Sequence, residues 1–126
     1  MNLNSRGYGA RKGPIMNELQ MLIHSFPDKP WDWIRLSDNP NITMSDVDAY
    51  INKPWNWHGL SQNPNIIMED INSHPNAPWN WALLSMNPGI TVRNVEAHPD
   101  KPWDWRWISK NSNVTMKDVI AHPDKH

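Results

Sequence analysis

The chain has no cysteine, which excludes a disulfide framework, thiolate zinc sites, iron–sulfur clusters and thiol catalysis, and suits a reducing compartment. Phenylalanine occurs once, and the five glycines form no phosphate-cradling loop. Charge of one sign is not in excess either. Against 13 Asp and Glu stand 12 Lys and Arg, so a formal charge of -1 gives no field to gather phosphates or an anionic membrane, and nucleic acid is disfavoured as a partner. Residues 1–12 hold no apolar signal-peptide segment, and no stretch elsewhere is long enough to cross a bilayer. Leu, Ile, Val and Phe supply only 24 of 126 residues, close to the level of disordered chains.

Nine Trp and seven Met make up that shortfall, and with little net charge they give enough apolar surface to offset the entropy of ordering. The tryptophans are periodic. Trp31, Trp55, Trp79 and Trp103 recur every 24 residues without insertion, and so do Trp33, Trp57, Trp81 and Trp105. Pro30, Pro54, Pro78 and Pro102 keep the same register, as do the serines from Ser37 to Ser109, the asparagines from Asn39 to Asn111, and Val47, Ile71, Val95 and Val119. Four copies of one unit are present.

Each unit fits two short helices. Asp28, Asn76 and Asp100 precede a proline by two residues, which predicts a cap and a first turn for helix A, running from about Pro30 to Asp38. Asn-Pro at 39–40, 63–64 and 87–88 stops it, since Asn tolerates the left-handed conformation and proline cannot continue a helix. Thr43 with Asp46, Thr91 with Asn94 and Thr115 with Asp118 have the spacing of a capping box for helix B. Ile67 replaces the threonine in the second copy and predicts a less firm start there. Helix B ends near His74-Pro75, His98-Pro99 and His122-Pro123.

Helices this short are not stable alone, so stacking between units must hold them. If both tryptophans of a pair lie on helix A, they point about 200° apart. One then fills the space inside its unit and the other reaches the neighbour. The expected core is Trp31, Trp33, Leu36, Trp55, Trp57, Leu60, Trp79, Trp81, Leu84, Trp103, Trp105 and Ile108, the unit offering no other large core residue. The architecture expected is an all-α solenoid of 24-residue repeats, with two short helices per repeat, one of them α and the other short α or 3-10. Residues 1–13 read as a flexible arm and 14–126 as one repeat domain, in which 14–27 form a capping helix and repeats start near 28, 52, 76 and 100. Met21 and Leu22 are expected to cover the first tryptophan pair. The chain stops where the next Pro-Trp would begin, so the last helix B caps the array or the array continues.

The Pro-Trp-Asp/Asn-Trp, Asn-Pro-Asn-Ile-Thr-Met-x-Asp and His-Pro-Asp-Lys blocks resemble the tryptophan-repeat proteins encoded in tandem by large DNA viruses, over residues 27–125. The resemblance implies a viral origin and a host-cell cytoplasmic location, and it implies no activity. A weaker similarity is to leucine-rich-variant repeats, in which an Asn-Pro-Asn turn precedes a helix and α-helices alternate with 3-10 turns. The cluster-binding cysteines of some of those proteins are missing here.

Little in the unit suggests catalysis. His74, His98 and His122 sit one repeat apart, roughly 10 Å if layers stack at helix-packing distance, and cannot share a metal ion. Asp46, Asp70 and Asp118 lie where a helix N-terminus favours a carboxylate, and Ser37, Ser61, Ser85 and Ser109 have no histidine at fixed spacing to act as base. No catalytic residue, metal site or cofactor is expected. The repeating tryptophans suit a buried ladder better than an exposed stacking platform.

Positions that vary between copies are free for solvent or a partner. In helix A these are Ile34, His58, Ala82 and Arg106; Arg35, Gly59, Leu83 and Trp107; and Asp38, Gln62, Met86 and Lys110. The first and third sets lie four residues apart, on one helical face. Ile34, Arg35, Asp38, His58, Gln62, Leu83, Met86, Arg106, Trp107 and Lys110 are the expected partner surface, with Trp107 also placed to cover the end of the core. The function this predicts is a non-enzymatic scaffold for protein–protein interaction or assembly. Its alternatives are carbohydrate or single-stranded nucleic-acid binding through exposed indoles, and a self-associating structural component, so a homo-oligomer is among the expected states.

Overall fold

A computed structural model describes residues 15–125, so the arm at 1–13 lies outside the described residues. Among them the regular structure is helical, without strands: α1 (Glu18–Ser25), α2 (Trp33–Ser37), α3 (Met44–Ala49), α4 (Trp57–Ser61), α5 (Met68–Ser73), α6 (Trp81–Ser85), α7 (Val92–Ala97), α8 (Trp105–Ile108) and α9 (Met116–Ala121). This is an all-α repeat solenoid. The even-numbered helices correspond to helix A, and α2, α4, α6 and α8 pack on one another in sequence. The odd-numbered helices form the second row.

Helix A starts three residues later than the Asp-x-Pro pattern suggests. Its cap is the residue between the two tryptophans: Asp32, Asn56, Asn80 and Asp104 each accept a backbone N–H of the first turn. The first tryptophan of each pair therefore lies outside the helix. Its N–H donates to the carbonyl two residues back, from Trp31 to Lys29 at 2.7 Å and from Trp79 to Ala77 at 2.8 Å, closing a tight turn around the intervening proline. The competing signal was proline, whose fixed φ suits this turn as well as a helix start.

Helix B begins where expected, because its cap chemistry is local. The reciprocal box forms at Thr91 with Asn94 and at Thr115 with Asp118. Ile67 has no side-chain oxygen, so at α5 only half of the box is made, the Ile67 N–H donating to Asp70 at 3.0 Å. A box of Asn17 and Gln20 starts α1.

The core runs through every layer. Leu36, Leu60, Leu84 and Ile108 are buried as expected, but so is a column not counted among the core residues, Ile42, Ile66 and Ile90, each 0% exposed. Trp33, Trp55 and Trp79 are buried, while Trp31, Trp57, Trp81, Trp103 and Trp105 are half-buried and packed against the same cluster. At the N-terminal end Ile23 and Gln20 face the stack. Met21 and Leu22, expected to cover the first tryptophans, are instead half-exposed, because the helical register that buries Ile23 turns its two predecessors away.

Candidate protein-interaction surface

Most of the chain's polar and aromatic chemistry is spent between layers. The second tryptophan of each repeat meets the first tryptophan of the next edge to face: Trp33 with Trp55 at 4.9 Å, Trp57 with Trp79 at 5.0 Å and Trp81 with Trp103 at 5.1 Å between ring centres. The indole N–H of each first tryptophan donates to the carbonyl that ends the preceding helix B, from Trp31 to Phe26, Trp55 to Tyr50, Trp79 to His74 and Trp103 to His98. Ammonium groups of Lys53 and Lys101 stand over the Trp33 and Trp81 rings at 5.6 and 6.0 Å. With ring edges, faces and N–H groups so engaged, the tryptophan rows are mortar between repeats.

The asparagines that follow helix A hold the layers together. Asn63 Nδ2 donates to the carbonyls of Ser37 and Asn39, and Asn111 Nδ2 to those of Ser85, Asn87 and Ile90, each at 3.0 Å. Asn87 does the same towards Ser61 and Asn63 at 2.8 and 2.9 Å. Each amide oxygen accepts an N–H of its own loop, from Asn65, Gly89 and Asn113. The serines run the other way. Ser37, Ser61 and Ser85 hydroxyls donate to the carbonyl four residues back and accept the N–H of the next repeat's cap residue, Asn56, Asn80 or Asp104, at 2.8 to 2.9 Å. Sequence reasoning assigned these asparagines to helix termination alone and found no role for the serines. Their strict register between copies was the signal that they serve the stack.

A third ladder runs along helix B, always 26 residues apart: Tyr50 with His24 at 3.1 Å, His74 with Asp48 at 2.6 Å, His98 with Asn72 at 3.3 Å and His122 with Glu96 at 2.8 Å. Among the described residues, no group of three or more His, Cys, Asp or Glu gathers as a metal site would require. Burial opposes charge on the His74 ring, but the Asp70 carbonyl and the Asp48 carboxylate outweigh it and raise the pKa above the ordinary histidine value. Asp46 and Asp70 hold equivalent capping positions and shift in opposite directions. Burial raises both, but hydrogen bonds from Gln20, His24 and Thr43 pull Asp46 below the ordinary carboxylate value, whereas Asp70 stays above it. At the register of Gln20 the next copy carries Met44, which has no N–H to give.

The varying helix A positions face outward. Ile34, Arg35, Asp38, His58, Gln62, Arg106 and Lys110 are exposed; Leu83, Met86 and Trp107 are half-buried. Gln62 Nε2 reaches Asp38 at 3.4 Å across one repeat, so the columns run along the array. Gly59 is buried instead. A Cβ there would stand 3.2 Å from the Ser37 Cβ, so in the second repeat this column belongs to the helix packing. The surface is graded. Repeat two presents polar groups and repeat one sets Arg35 and Asp38 beside an exposed Ile34, while Leu83, Met86 and Trp107 form an apolar patch bordered by Arg106 and Lys110, whose ammonium lies 5.0 Å from the Trp107 ring centre. A separate cleft of about 340 Å³ opens at the last layer between Trp103, Trp105, His122 and Lys125.

No helix of the described residues is long and apolar enough to cross a membrane. No family model, curated protein or solved structure matches the chain.

Proposed function

We propose that the chain is a non-enzymatic scaffold that binds a protein partner along its helix A row. The observation that carries this reading is the division of labour between positions. Residues held constant across the four copies are engaged in the ladders, and those that vary in helix A are mostly turned to solvent. Leu83, Met86 and Trp107 with their basic rim have the composition of an interface centre, and they fit a partner with apolar side chains inside an acidic border. The repeat blocks support a place among the tryptophan-repeat proteins of large DNA viruses, and with it a host-cell cytoplasmic location.

The test is affinity capture with the full chain as bait, followed by the same capture with Leu83→Ser, Met86→Ser and Trp107→Ser combined. Loss of the captured protein, with helicity retained, supports the reading. Capture that is unchanged removes this face from the function.

A further inference from the structure

The four repeats are not joined equally. Between the first and second, Asn63 Nδ2 donates to the carbonyls of Ser37, Asn39 and Ile42, and Asn65 Nδ2 to those of Pro40 and Ile42. Between the third and fourth, Asn111 reaches Ser85, Asn87 and Ile90, and Asn113 reaches Pro88 and Ile90. Between the second and third, Asn87 reaches Ser61 and Asn63, and Gly89 stands where the other copies have the second asparagine. The carbonyls of Pro64 and Ile66 thus lack the amide donor that their equivalents receive in both neighbouring junctions, among the described residues. A Cβ at Gly89 would collide with the Ile66 carbonyl oxygen, so the two backbones touch here without an N–H between them.

Two further ladders weaken at the same place. Along helix B, His74 meets the Asp48 carboxylate at 2.6 Å and His122 the Glu96 carboxylate at 2.8 Å, but His98 meets the uncharged amide of Asn72 at 3.3 Å. Along the tryptophans, the ammonium groups of Lys53 and Lys101 cover the Trp33 and Trp81 rings, and at that register between repeats two and three stands Ala77. What persists lies on the helix A side. Ser61 Oγ accepts the Asn80 N–H at 2.9 Å, Asn80 also meets His58 Nδ1 at 3.2 Å, and Trp57 packs edge to face on Trp79. One edge of this junction is held as firmly as in its neighbours, and the other is not.

We propose that the array flexes at this junction, with residues 15–75 and 76–125 moving as two stiff halves about the helix A row while α5 and α7 part. The motion is bending and not separation, because the core closes over Ile66 and Ile90 on either side. The curvature of a solenoid is the sum of its junction angles, so one compliant junction lets the same chain adopt several curvatures. Bending here changes the angle between the segment of the helix A row that carries His58 and Gln62 and the one that carries Leu83 and Met86, and it leaves each segment intact. The hinge is a property of the stack and stands whether or not that row binds a partner.

Because the chain has no cysteine, nitroxide pairs on introduced cysteines test this directly. Ser45, Glu69, Arg93 and Lys117 occupy one exposed register of helix B, successive positions lying roughly 10 Å apart at helix-packing distance. Electron paramagnetic resonance on Ser45→Cys with Glu69→Cys, Glu69→Cys with Arg93→Cys, and Arg93→Cys with Lys117→Cys reads the three junctions in turn, with circular dichroism showing that each labelled chain folds. The middle pair gives a distance distribution about twice as wide as either neighbour. Fraying from the ends of the stack gives the opposite order, with the middle pair narrowest. Asn72→Asp sets a carboxylate against His98, and Ala77→Lys sets an ammonium over Trp57. Combined, they narrow the middle distribution and leave the outer two unchanged. Three distributions of equal width, a middle one that is narrowest, or a middle one that the combined substitutions leave as wide as before overturns the proposal.

Discussion

Asn87 shows how much a single side chain carries in this molecule. It is 1% exposed, its amide N–H groups serve two carbonyls of the previous repeat, and its oxygen takes the Gly89 N–H. Asn87→Ala takes this partner from the Ser61 carbonyl and the Gly89 N–H and leaves the Asn63 carbonyl with the Ile66 N–H alone, and we expect a loss of about 3 kcal/mol in urea denaturation. Asn87→Asp should be worse, because a carboxylate turns a second acceptor towards the carbonyls. His74 makes a different prediction. Its pKa is raised on folding, so its contribution is fully present below the unfolded histidine value of about 6.5 and fades as pH rises through the folded one. The stability lost in His74→Gln should therefore be larger in weakly acidic than in alkaline solution, read from melting temperatures of both proteins across pH. An equal loss at every pH would assign the ring a packing role alone.

At the scale of the helix, cap chemistry decides where each element begins. Ile67 is 41% exposed at the N-cap of α5, where other copies have threonine. Ile67→Thr adds a side-chain acceptor for the Asp70 N–H, which now donates only to the Ile67 carbonyl, and should stabilise by about 1 kcal/mol, seen as a higher urea midpoint with unchanged slope. Helix B was legible in the sequence because its signals are local. Thr and Asp or Asn stand three residues apart, a His-Pro stop follows, and the structure places the helix between them. Helix A was misplaced because two local signals competed, and the Asp or Asn between the tryptophans prevailed over proline. The ladders of Asn63, Asn87 and Asn111 were not legible. Short-range rules give an asparagine a short-range role, and only the stacking of layers brings it to carbonyls 24 to 26 residues away. The Ile42 column was overlooked for a related reason, since it lies in the loop between helices and outside either helical period.

For the molecule as a whole, stability is a sum of couplings between neighbouring repeats. Trp79 is central to one of them. It packs on Trp57 and satisfies the His74 carbonyl, so Trp79→Ala should cost about 4 kcal/mol. The form of the loss is more telling than its size. Weakening a junction inside the array should divide the unfolding transition into two, whereas Trp31→Ala at the edge should shift a single transition. Calorimetry distinguishes them, and one undivided transition in Trp79→Ala would show that the array unfolds as a single block. Of the expected partner surface, the exposed columns of helix A follow from variation between copies, while the burial of Gly59 depends on how close α4 comes to the preceding repeat.

The asparagine ladder also has a direction. Asn63, Asn87 and Asn111 each donate to carbonyls of residues that precede them in the chain, never to residues that follow. On the ribosome, then, each repeat emerges with its acceptors already made and in place, and it can lock down without waiting for later sequence. Synthesis from the N-terminus and growth of the stack proceed in the same order.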